Sequence, residues 1–172
     1  MFRPEMKTFY DDNGYLVVKN LFDAKELADV IQRTDDIMAN TELAPEGVSI
    51  GREGDTEKDP SSPQAQNQSI RVLAFVVRFD PIYHPVAQHP KLLGLVRGLI
   101  GSRVKVFRDQ MLLKPPGGQA KPSHQDQSYF RVQPANELVT AWIALDDVDE
   151  SNGCLRYIDG SHRGPVLEHI PV

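Results

Sequence analysis

The chain has 172 residues, 40% apolar and 25% charged, a size at which one core buries roughly 70% of the surface of the unfolded chain. That composition excludes a disordered or fibrous protein and makes residues 1–172 a single expected domain. Nineteen Lys and Arg against 24 Asp and Glu give a net charge of −5, so nucleic acid is not an expected partner; the lone Cys154, with no signal-like N-terminus and no long apolar run, fits a soluble cytoplasmic protein without a membrane partner.

Gly14 to Val18 is a short β-branched and aromatic run that suits a buried strand. A helix is expected next. Asp23 can cap the Glu26 amide while Phe22 staples onto Leu27, and Leu27, Val30, Ile31, Ile37 and Met38 share one face as far as about Ala39. From Glu42 to Ser69 no hydrophobic period is strong enough to nucleate an element, which predicts a long loop over 42–69, either a cover for a binding site or a disordered insertion.

The segment Arg71 to Phe79 is β-rich, yet Ile70, Leu73, Ala74 and Val77 keep a helical period, and it is read as a helix stopped by Asp80-Pro81. Pro90 opens a second short helix through Leu92, Leu93, Val96 and Leu99, closed by Gly101. The period then changes. Val104 to Leu113, Val139 to Leu145 and Leu155 to Ile158 read as strands divided by Pro-Pro-Gly-Gly, Gln-Pro and Ser-Asn-Gly turns, so helices precede an antiparallel sheet.

The sharpest local feature is Ser123-His124-Gln125-Asp126. In an extended segment residues i and i+2 project to the same side, so His124 and Asp126 can offer an imidazole nitrogen and a carboxylate oxygen to one cation. A second histidine would complete the facial triad of non-haem iron(II) oxygenases, which keeps open positions for co-substrate and oxygen. Alone, His-x-Asp arises often by chance and more often marks a hydrogen-bonded turn histidine than a metal ligand. The acidic run Asp146, Asp147, Asp149 and Glu150 lacks the calcium-loop spacing and reads as a solvated turn.

Downstream stand Ala141-Trp142-Ile143-Ala144-Leu145-Asp146-Asp147, Glu150-Ser151-Asn152-Gly153-Cys154-Leu155 and Asp159-Gly160-Ser161-His162. With His124-Gln125-Asp126, these motifs in this order resemble the phytanoyl-CoA dioxygenase family of iron(II)- and 2-oxoglutarate-dependent oxygenases. The opening Phe9-Tyr10-Asp11-Asp12-Asn13-Gly14-Tyr15-Leu16-Val17-Val18 is similar as well. The resemblance implies an α+β, mainly β fold with N-terminal helices and a double-stranded β-helix (jelly-roll, cupin-like) core. It implies Fe(II) held by His124 and Asp126, 2-oxoglutarate as co-substrate, and hydroxylation of a small-molecule organic substrate as 2-oxoglutarate is decarboxylated to succinate.

By the same resemblance Trp142 lines the 2-oxoglutarate pocket and Gln110 and Arg71 contact the co-substrate. Read from composition alone, a core Trp142, a solvated Gln110 and a surface Arg71 serve as well. The family's second iron-binding histidine and its carboxylate-clamping arginine fall beyond the Gly-Ser-His turn. Only His162 and His169 follow Asp126, and neither they nor Arg156 and Arg163 match those positions. With too few strands for an eight-stranded roll, the chain is expected to be the N-terminal portion of an oxygenase or a reduced member. The alternative is a non-catalytic jelly-roll binding protein that retains part of the pocket.

Overall fold

The computed structural model describes residues 2–53, 70–116, 118 and 120–168. Helix α1 (Pro4–Asn13) starts on a proline and ends where Gly14, at φ 86°, takes the left-handed conformation and donates its N–H to the Tyr10 carbonyl at 2.8 Å. Its Phe2 flank lies over Gly98, where any Cβ would collide with the ring.

Helix α2 (Ala24–Ala39) carries the expected capping box: Glu26 N–H donates to Asp23 Oδ1 at 2.9 Å and Asp23 N–H to Glu26 Oε2 at 2.8 Å. The expected apolar stripe is present too, and Val30, Thr34 and Ile37 are its buried members. Thr34 is tolerated there because its hydroxyl donates to the Val30 carbonyl at 2.7 Å and therefore accepts from the Tyr83 phenol at 3.0 Å. Burial, before any other cause, pushes the Tyr83 hydroxyl above its ordinary pKa.

The sheet is antiparallel and ordered β1-β2-β3, from β1 (Ser49–Arg52), β2 (Ile70–Ala74) and β3 (Gln110–Leu112). Ile50 faces Leu73 across one ladder and Met111 faces Leu73 across the other, with an irregularity between Gly51 and Arg52. Ile70 and Leu73 are fully buried against the stripe of α2, and Val76 and Tyr83 complete the core. Phe75, at φ 65°, turns the chain out of β2 into α3 (Val76–Phe79). Asp109 caps that helix from a distance, accepting the Val77 N–H at 2.8 Å.

A short turn at Pro81–Tyr83 and α4 (His84–Ala87) lead to α5 (Pro90–Ile100), which begins at Pro90 and ends before Gly101 as its sequence predicts. Asp80 closes the core at this turn. It accepts Arg33 Nε at 2.7 Å and the Ile82 N–H at 3.2 Å, while Arg33 Nη2 donates to the Leu43 carbonyl at 2.8 Å. The last α-helix among the described residues is α6 (Asp126–Phe130).

The structure corrects several expected elements. Residues 15–18 pair with no described strand, because Gly14 serves as the cap of α1 and Val17 is turned to solvent. The 42–69 loop is interrupted by a 3-10 turn at Thr41–Leu43 and by β1, whose Ile50 packs on a core that local periodicity cannot reveal; residues 54–69 lie outside the described residues. Residues 70–74 are a strand and only Val76–Phe79 is helical, since two flanking ladders outweigh the helical period. Residues 139–145 and 155–158 form no ladder among the described residues, so Trp142 is not on a strand. The described fold is therefore a mix of helices with one small antiparallel sheet, not mainly β, and no second sheet of a roll is formed among those residues.

Two outcomes test this packing. Asp80→Ala strands the mostly buried Arg33 guanidinium and is expected to lower unfolding stability by about 3 kcal/mol in urea titration. Hydrogen bonds from the Asp23 N–H and then from His89 hold the Glu26 carboxyl below its ordinary range. A depressed folded-state pKa gives stability that is present at neutral pH and lost as pH falls through that range. Glu26→Gln is accordingly expected to flatten the fall in urea midpoint between about pH 5 and pH 3.

Candidate metal centre

Arg71 fixes the departure of the chain from β3. Its carbonyl accepts the Leu113 N–H at 2.9 Å and its Nη1 donates to the Leu113 carbonyl at 2.7 Å. Its guanidinium also pairs with Glu53 at 3.2 Å, both side chains being largely buried, so Arg71 ties the end of β1 to the run-out of β3. Gln125 is extended, at φ −113° and ψ 124°, and the chain turns helical at Asp126.

The expected convergence of His124 and Asp126 is present, although the strand-like stretch stops between them. His124 Nε2 lies 3.5 Å from Asp126 Oδ1, with both side chains about two-fifths exposed. His124 Nδ1 sits 2.8 Å from the Pro122 carbonyl, which can only accept, so Nδ1 carries a proton and Nε2 is the nitrogen turned toward Asp126. The Tyr129 ring stands edge-on to the imidazole at 5.6 Å. The second carboxylate oxygen, Oδ2, accepts the Thr140 hydroxyl at 2.7 Å.

Gln125 points away, as i+1 should. Its Nε2 donates to the Pro165 carbonyl at 3.2 Å and its Oε1 accepts the Leu167 N–H at 2.7 Å, strapping residues 165–167 to the start of α6. Two donors each about 2.1 Å from a shared cation can be no more than about 4.2 Å apart, so a separation of 3.5 Å fits one divalent ion between them. An imidazole nitrogen and a carboxylate oxygen suit a first-row transition metal. No group of three His, Cys, Asp or Glu side chains converges among the described residues.

His162 is occupied elsewhere. Its Nε2 donates to the Asp11 carbonyl at 2.9 Å, and Arg163 donates to Asp12 Oδ1 at 2.8 Å, so the Gly-Ser-His-Arg turn covers the C-terminal end of α1. His169 lies outside the described residues. Trp142, 42% exposed, lines a small apolar cleft with Leu21, Phe22, Leu27 and Ile143. Gln110 is exposed on β3 opposite Ala74. These two and Arg71 are not gathered around the His124–Asp126 pair by any hydrogen bond or ion pair among the described residues.

Thr140 and Tyr157 are further side chains that the sequence did not mark. Tyr157 stacks on Tyr15 at 5.4 Å, and its hydroxyl is pushed above its ordinary pKa by burial and then by the negative charge of Asp126. Neither had a local signal, because Thr140 meets Asp126 and Tyr157 meets Tyr15 across long sequence separations. In the acidic run Asp149 accepts the Ser151 hydroxyl at 2.6 Å and then the Ser151 N–H at 2.7 Å, which hold its carboxyl below the ordinary range.

Residues 10–170 match the family model of phytanoyl-CoA dioxygenase. The chain belongs to the phytanoyl-CoA dioxygenase family. It is 31% identical over 171 residues to the peroxisomal phytanoyl-CoA dioxygenase of Bos taurus, a match covering 96% of this chain and 49% of that protein. It is 29% identical over 172 residues to a probable phytanoyl-CoA dioxygenase of Caenorhabditis elegans, covering 96% of this chain and 54% of the relative. A probable alpha-ketoglutarate-dependent hypophosphite dioxygenase of Stutzerimonas stutzeri is 27% identical over 165 residues, 96% of this chain and 55% of that protein. The chain thus spans about half the length of the curated relatives it matches, and those family relatives are dioxygenases. Among the described residues no helix is long and apolar enough to cross a membrane.

The seating of His162 on α1 has a direct test. A Cβ at Gly14 would strike the His162 ring, and the left-handed backbone there already disfavours a side chain. Gly14→Ala is expected to cost about 2 kcal/mol in urea unfolding, and a wild-type midpoint would contradict the contact.

Proposed function

We propose that this chain carries part of the active site of an iron(II)- and 2-oxoglutarate-dependent dioxygenase that hydroxylates a small organic molecule. The observation that carries the reading is the His124–Asp126 pair, 3.5 Å apart, in a chain of this family. His124 would give Nε2 and Asp126 would give Oδ1 to the iron. The metal with its 2-oxoglutarate supplies the oxidising chemistry; the protein orients the two donors and the substrate.

The Pro122 carbonyl keeps the His124 lone pair on the metal-facing nitrogen. Gln110 and Trp142 are exposed and available to a co-substrate, whereas Arg71 would have to exchange Glu53 for the ligand carboxylate. In this reading β1 to β3 and the strand-like sequences at 139–145 and 155–158 belong to a double-stranded β-helix. The relative from Stutzerimonas stutzeri, by its alpha-ketoglutarate-dependent description, supports the choice of co-substrate.

A second reading, a non-catalytic binding protein, is favoured by the absence of a third converging ligand among the described residues. Anaerobic titration with iron(II) and 2-oxoglutarate, followed by oxygen and an assay for succinate, separates the two. Succinate formed by the wild-type chain and not by Asp126→Ala would exclude the binding-protein reading. Iron(II) binding that 2-oxoglutarate strengthens in the wild type but not in Asp126→Ala supports part of an oxygenase site, whereas iron(II) binding indifferent to 2-oxoglutarate favours the binding protein. Equal behaviour of wild type and Asp126→Ala would remove the metal site from both.

A further inference from the structure

Thr140 lies fourteen residues from Asp126 in sequence, yet among the described residues its hydroxyl donates to that carboxylate at 2.7 Å. Asp126 opens a five-residue helix that has no side-chain cap, and the carboxylate is about two-fifths exposed. An untethered carboxylate in such a place rotates about its side-chain bonds and exchanges its two equivalent oxygens. A hydroxyl at 2.7 Å removes that freedom, because a carboxylate only accepts and the threonine must donate.

The donor itself is anchored. Thr140 is β-branched, with few side-chain rotamers, and it lies on a segment whose Ile143 and Trp142 share the cleft of Phe22 and Leu27 and whose Leu145 packs on the core. We propose that Thr140 is a positioning residue for the metal: by holding Asp126 Oδ2 it presents Oδ1 beside His124 Nε2 and favours binding through one carboxylate oxygen. One-oxygen binding leaves a further coordination position open. This inference rests on the metal reading above and adds to it the link by which the 139–145 segment sets the donor geometry.

The test uses the full chain and Mn(II) alone, with the free ion followed by its paramagnetic resonance signal and each variant checked by thermal unfolding. Thr140→Val keeps the shape and removes the donor, and is expected to weaken Mn(II) binding about tenfold or more, the usual consequence of losing such a supporting bond. Thr140→Ala is expected to agree with it, which separates the lost hydrogen bond from altered packing. Thr140→Ser restores the hydroxyl and is expected to bind near wild type.

Wild-type affinity in Thr140→Val, or a loss that Thr140→Ser fails to rescue, overturns the positioning role while leaving the metal site intact. His124→Ala is the separate control. If it and the wild type respond to Mn(II) identically, the metal reading itself falls and the role of Thr140 falls with it.

Discussion

Burial of one face of β2 against α2 is the interaction on which the rest of the molecule depends. Ile70 and Leu73 have no solvent exposure, and they meet a stripe of α2 that includes the equally buried Ile37. Burying side chains of this size contributes about 1.5–3 kcal/mol each, and the same strand holds β1 on one edge and β3 on the other. Arg33 and Asp80 then lock the turn that follows α3 onto α2, satisfying the one buried carboxylate of that core.

The candidate metal centre stands outside this core. Among the described residues none beyond Leu95 is as buried as the β2–α2 contact. The His124–Asp126 pair is placed instead by polar ties: Pro122 on His124, Thr140 on Asp126, Gln125 on residues 165–167. Hydrogen bonds fix direction without contributing much net stability, typically about 1 kcal/mol each. Such a site holds its two donors in register while keeping them open to solvent and to ligands.

Features that depend on neighbours in sequence were legible in it. The capping box of α2, the Pro90 start and Gly101 end of α5, and the His-x-Asp convergence each follow from residues within four positions of one another. Features that depend on distant partners were not. Segment 70–74 satisfies both periods and becomes a strand only because β1 and β3 flank it. β1 sits in a polar stretch and is fixed by a ladder to residues about twenty positions away. The reverse holds at 139–145, where β-branched and aromatic residues supply strand propensity but no described segment supplies a ladder. Thr140 escaped notice for the same reason, since a threonine in an apolar run signals a strand rather than a support for a carboxylate fourteen residues earlier.

In the proposed site a metal ion would sit between His124 and Asp126, held through polar ties away from the buried core. Substoichiometric Mn(II) added to isotope-labelled protein tests it by nuclear magnetic resonance, because the ion broadens signals only near its binding site. The account predicts that His124, Asp126, Tyr129 and Thr140 broaden first while Val30, Ile37, Ile70 and Leu73 stay sharp. First broadening at Asp146 to Glu150, or uniform broadening across the chain, would contradict it.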